Sequence, residues 1–148
     1  MRWRPNSIVT AYNRVLCGDS EDGRIGSIEE DTYTEYGELI IRTFSTQVLS
    51  DQGNAMIMSM LEATFEAGVG DLITLDPKVR MSIAKDGKSF NNELTRSIGG
   101  IGQFDQRAIW YRLGRYARML NIKIEMSDPV KPTFSKLEAK VRASQNGR

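Results

Sequence analysis

Five cations crowd one stretch of this sequence, with aromatic residues between them. Arg107, Arg112, Arg115, Arg118 and Lys123 surround Trp110, Tyr111 and Tyr116, and no acid falls between Gln106 and Ile124. Guanidinium groups beside aromatic rings can meet a phosphate backbone through charge and stacking. The plainer role puts Trp110 in a core and the arginines on an exposed ribbon or in pairs with acids. The balanced net charge of +1 favours that role. Opposite in sign is Asp19 to Glu38. It holds eight acids (Asp19, Glu21, Asp22, Glu29, Glu30, Asp31, Glu35, Glu38) against one base, Arg24. Clustered carboxylates raise the question of calcium. An EF-hand loop carries an acid five residues before its glycine, and five residues before Gly23 stands Gly18. A solvated acidic face is expected, with no metal.

Other chemistries lack their residues. The chain has no histidine, which removes the commonest general base and metal ligand. Its single cysteine, Cys17, cannot form an intrachain disulfide and reads as a small buried hydrophobe. Nothing places two carboxylates across a cleft for glycoside hydrolysis. Gly99-Gly100-Ile101-Gly102 lacks the Lys-Ser/Thr ending and the helix of a phosphate loop, so it reads as a turn. No catalytic residue, cofactor or enzymatic activity is expected.

The two charged stretches suggest assembly. If they occupy different faces, the subunit is electrically two-ended and head-to-tail contact pairs opposite charges. A heterologous contact that closes gives a ring. Arg107, Arg112, Arg115, Arg118 and Lys123 are then candidates for an interface or a DNA channel. Asp19, Glu21, Asp22, Glu29, Glu30 and Asp31 are candidates for an acidic assembly face.

The elements positioning these residues read as strands. At 148 residues, 40% hydrophobic and 26% charged, the chain fits one domain with a real core. No run approaches the ~18 apolar residues of a membrane span. The opening MRWRPN has no apolar h-region after it, so no signal peptide is expected. Arg107 to Pro129 reads as two alternating segments joined by a glycine-containing turn, a β-hairpin with Trp110, Ile122 and Ile124 facing a core. Val79, Met81 and Ile83 alternate with Arg80 and Ser82, and Asp86-Gly87 follows as a type I′-like turn. Asp22-Gly23 is a second hairpin signal, and Glu38 to Thr46 reads as one strand. Ser7 to Cys17 is one strand or two. Residues 55–67 and 134–142 fit either a strand or a helix, with strand preferred for both. The class is all-β: an antiparallel β-sandwich with short glycine-rich turns, or alternatively part of a β-propeller. One domain is expected over 1–142, with 1–19 as a strand continuing from an N-terminal region and 143–148 as a flexible tail.

With these residues laid out, the chain resembles the packaged-DNA stabilisation protein of short-tailed phages, a tail hub or nozzle component. The likeness rests on Leu16-Cys17-Gly18-Asp19 with Gly23-Arg24-Ile25-Gly26, then on Glu35-Tyr36-Gly37 leading to Arg42-Thr43-Phe44-Ser45-Thr46. Leu61-Glu62 before Gly68-Val69-Gly70, and Arg80 through Phe90, continue it. It is strongest from Gly99 to Pro129, with Gly102-Gln103-Phe104 before Arg107-Ala108-Ile109-Trp110-Tyr111-Arg112-Leu113-Gly114-Arg115 and Ser127-Asp128-Pro129 after. Relatives carry a Ser-x-Asp-x-Gly-x-Thr-Trp turn. Ala84-Lys85-Asp86-Gly87-Lys88-Ser89-Phe90 keeps the Asp and a Gly but lacks the first Ser and the Trp. The likeness covers only the C-terminal portion of the longer family members. It implies a structural virion protein, a ring of usually six copies below the portal, that retains packaged DNA and forms part of its exit channel. Implied partners are the portal adaptor, the tail needle or plug and tailspike proteins, with non-specific proximity to double-stranded DNA and no membrane. The runner-up from the residues is a carbohydrate- or receptor-binding β module of a virion.

Overall fold

The computed structural model describes residues 4–66, 74–131 and 133–144, and all its regular structure is β-strand. Two antiparallel sheets face each other across the core. The first runs β10(Leu94–Ser97), β9(Lys78–Lys85), β12(Met119–Met126), β6(Arg42–Ser45), with β7(Leu49–Ser50) also pairing β12. The second runs β11(Ala108–Tyr116), β8(Met56–Phe65), β13(Phe134–Ala143). Every pairing is antiparallel. Ahead of them lie a three-stranded sheet, β1(Pro5–Ala11), β2(Arg14–Asp19), β3(Ile25–Ile28), and a small hairpin, β4(Thr34–Glu35) and β5(Glu38–Leu39).

The sandwich follows from the alternation. Val79, Met81 and Ile83 of β9 and Leu120, Ile122 and Ile124 of β12 point inward from the first sheet; Met58, Leu61, Trp110 and Tyr116 meet them from the second. Trp110 is fully buried, and its indole N–H donates to the Leu94 carbonyl at 2.9 Å. Arg96 Nε donates to the Ile109 carbonyl at 2.9 Å, so the β10–β11 flank is closed. The opposite flank, between β6–β7 and β13, carries Phe44 against Phe134 with ring centroids 5.2 Å apart.

The expected hairpin over 107–129 is not a hairpin. β11 and β12 lie in different sheets and face each other across the core as an arch turning at Ala117-Arg118. Paired side by side, two strands this apolar would leave one broad face needing another layer. Placed opposite, each fills the interior for the other. Gly114 is not in the turn. It follows Arg112, whose φ is 57°, in a bulge where β11 gains a residue on β8. The arch itself is held by Asp86, whose Oδ1 accepts the N–H groups of Arg118 and Met119, each at 3.1 Å.

A bulge also explains the ambiguity at 55–67. Met56 and Met58 are buried, Ser59 and Met60 both turn outward, and burial resumes at Leu61 and Ala63. One skipped step mixes period-two spacing with helical spacing, yet Met56–Phe65 is strand β8, and residue 67 lies outside the described residues. Residues 134–142 are strand as well, within β13. Its end is tied: the Ser144 N–H donates to the Ala55 carbonyl at 2.8 Å, so 143–144 are not a loose tail, while 145–148 lie outside the described residues. Ser7 to Cys17 divides at Tyr12-Asn13, both with positive φ. Glu38 to Thr46 breaks at Ile40-Ile41. Asp22-Gly23 makes no two-residue turn: the Asp22 carboxylate accepts the Arg24 N–H at 3.0 Å inside a longer connection.

Arg42 points toward the interior from β6. Its Nη1 and Nη2 donate to the carbonyls of Val130 (2.7 Å) and Asp128 (2.8 Å), anchoring the segment that leads into β13. Partial burial holds this guanidinium below its ordinary pKa. Arg42→Ala removes two charge-assisted bonds and is expected to lower stability by about 2–3 kcal/mol. The urea midpoint, read by circular dichroism, measures it; an unchanged midpoint would show that the anchor is idle.

Candidate functional site

The acidic segment is folded around arginines. Asp19, at the end of β2, has a fully buried side chain. Arg4 Nη2 lies 2.6 Å from its Oδ2, Arg4 Nε donates to its Oδ1 at 3.1 Å, and the Glu21 N–H donates to Oδ1 at 2.8 Å. Arg24 Nε donates to Asp22 Oδ2 at 2.6 Å, and its guanidinium lies 4.0 Å from the centre of the Tyr36 ring. Arg4 reaches Asp22 at 3.2 Å and Glu21 at 3.6 Å. Glu29 accepts from Ser27 Oγ at 3.0 Å and lies 4.0 Å from Arg14. Glu30 and Asp31 are exposed. Much of the charge is therefore answered from within. Arg4 and Arg14 precede the acidic stretch, so a count along it misses them; strand pairing between β1, β2 and β3 brings them back.

The bond from Arg24 holds the Asp22 carboxyl down at about 2. Burial pushes Asp19 up, but the Glu21 N–H and Arg4 outweigh it and leave the net shift downward. A carboxylate depressed in the folded state stabilises above its unfolded pKa, about 3.9, and that stability is lost as pH falls through the folded value. Between about pH 4 and 2, amide signals of Ile8, Cys17 and Ile25 are expected to lose dispersion before those of Ile83 and Ile122. Simultaneous loss would show that the arginine cluster does not govern the N-terminal sheet.

The five basic candidates do not form one patch. Arg107, Arg112 and Arg115 belong to β11 and its approach, on the second sheet. Arg107 pairs with Glu62 at 3.2 Å. Arg118 sits at the arch. Lys123 leaves the outer face of the first sheet, 2.8 Å from Glu125 and 5.0 Å from the Phe90 ring centre. Among the described residues no group of three or more His, Cys, Asp or Glu side chains converges as a metal site. An open hollow of about 640 Å³ separates the N-terminal sheet from the β4–β5 hairpin and the Ile40-Ile41 link, with Cys17, Gly26, Ile28 and Tyr36 on its wall.

The family model described as Bacteriophage P22 Gp10, beta-sandwich, matches residues 41–142. The chain belongs to this family. The match begins just before β6 and ends one residue short of the end of β13, so it takes in both sandwich sheets and leaves β1 to β5 outside. No curated protein matches the chain. As a member of the Gp10 β-sandwich family the chain is a structural phage tail component of the hub or nozzle type, corresponding to its C-terminal portion, and its place is the virion. The fold is the antiparallel sandwich, and no propeller is shown among the described residues.

Proposed function

We propose that this chain acts by assembly rather than chemistry. It forms a homo-oligomeric ring below the portal and adaptor, helps retain packaged DNA in the head, and contributes to the channel through which DNA leaves. The observation that carries this is the family match over the entire two-sheet core. The resemblance suggests six copies, with the adaptor, the needle or plug and the tailspikes as neighbours. Arg112, Arg115 and Arg118 are exposed cations suited to a surface bordering DNA without reading its sequence. Glu30 and Asp31 are exposed acids suited to an assembly face.

Phage particles assembled without the chain test the reading. They are expected to package DNA and then lose it on mild warming, with retention restored by adding the purified wild-type chain. Particles that kept their DNA and a complete tail without the chain would overturn it.

A further inference from the structure

The three-stranded N-terminal sheet is only partly covered: Cys17 is buried beside Tyr36, and most of the remaining surface is open. Pairing puts Ile8, Val15, Cys17 and Ile28 on one face and Val9, Leu16 and Ile25 on the other. Ile8, Val9 and Ile25 are 62%, 60% and 73% exposed, so both faces present apolar side chains. The first face borders the open hollow rather than a filled core. β1 and β3 are the edges of this sheet and pair only with β2 among the described residues. Three short strands with so little packed surface are marginal alone.

The sandwich has a matching deficit. β13 is an edge strand ten residues long. Ala139, Val141 and Ala143 stand opposite the inward-facing Leu61, Met58 and Met56, so they share the inner face, yet all three are exposed. Across the gap, Phe44 and Leu49 of the other sheet's edge, and Val48 in the link between them, are exposed too. An apolar notch of about 180 Å³ opens there, between Phe44, Phe65, Ile124, Met126 and Phe134. The flank around β10 and β11 is closed; this one is not.

Charge divides along the same line. Residues 1–39 carry eight acids and four bases, net −4; residues 40–148 carry sixteen bases and eleven acids, net +5. On β13 itself Lys136, Lys140 and Arg142 outnumber Glu138. An apolar sheet on the acidic unit and an open apolar flank on the basic one are complementary in both hydrophobicity and sign.

We infer that the N-terminal sheet of one copy docks on the open β6–β7/β13 flank of the next copy's sandwich. This rests on the assembly reading above and names its surfaces. The contact joins two different patches, so it is heterologous, and repeating it closes a ring or extends a filament. It also extends the exposed edge of β13, which otherwise invites uncontrolled strand pairing.

Two exposed-site variants test it. Val9→Asp with Ile25→Asp disables the sheet; Ala139→Asp with Val141→Asp disables the flank. Amide dispersion checks that each still folds. The wild-type chain at low salt is expected to sediment as an oligomer and each variant as a monomer. An equimolar mixture of the two variants is expected to give a discrete heterodimer, because each retains the half the other lost. Variants that keep the wild-type size would overturn these surfaces while leaving the ring intact. Monomeric variants whose mixture stays monomeric would also overturn the pairing, assigning the surfaces to different partners. A monomeric wild-type chain would sink the ring reading itself.

Discussion

Trp110→Ala is expected to lower the stability of the sandwich by about 4 kcal/mol. The indole is completely buried and contributes to the core shared by both sheets. Alanine leaves a cavity and also orphans the Leu94 carbonyl, which accepts the indole N–H. Total stability of a domain is only about 5–15 kcal/mol, so this loss removes a large share. Trp110→Phe keeps most of the ring volume and loses the hydrogen bond, with an expected cost of about 1–2 kcal/mol. Urea denaturation of the three proteins separates packing from the bond. Equal costs for both variants would mean that the bond, not the volume, matters.

Gly100→Ala is the second large effect, expected near 3 kcal/mol. A Cβ at Gly100 would collide with the carbonyl oxygen of Leu75, and backbone cannot swing aside as a side-chain tip can. The adjoining Ile98 N–H donates to the Pro77 carbonyl at 3.0 Å, so the segments are tied close together. Gly23→Ala is the control. A Cβ there meets nothing within 4 Å, and the expected change is within about 0.5 kcal/mol. Indistinguishable urea midpoints for the two alanine variants would contradict the close approach.

Much of the sandwich was legible because alternation reports burial directly. Val79, Met81 and Ile83 announced β9, and Asp86-Gly87 announced its turn, with φ of 51° and 70°. Cys17 and Trp110 are buried as their surroundings implied. Alternation does not say which strand lies beside which. The segments from Ala108 and from Met119 looked like one hairpin, but burying their shared apolar character placed them in opposing sheets. The bulges at Ser59-Met60 and Arg112-Leu113 shift phase without a sequence marker as plain as a glycine turn. The acidic candidates were recognisable as a charge run, but their neutralisation by Arg4 and Arg14 depends on pairings between strands. The basic candidates were close in sequence, yet the arch separates Lys123 from the arginines of β11.

The most direct test of the central claim is the size of the purified wild-type chain by sedimentation velocity, at low and at high salt, with and without the portal adaptor. With −4 and +5 divided between its two parts, the chain is expected to form an oligomer at low salt that weakens as salt rises, and to engage the adaptor. A strictly monomeric chain at every salt concentration, indifferent to the adaptor, would contradict the account.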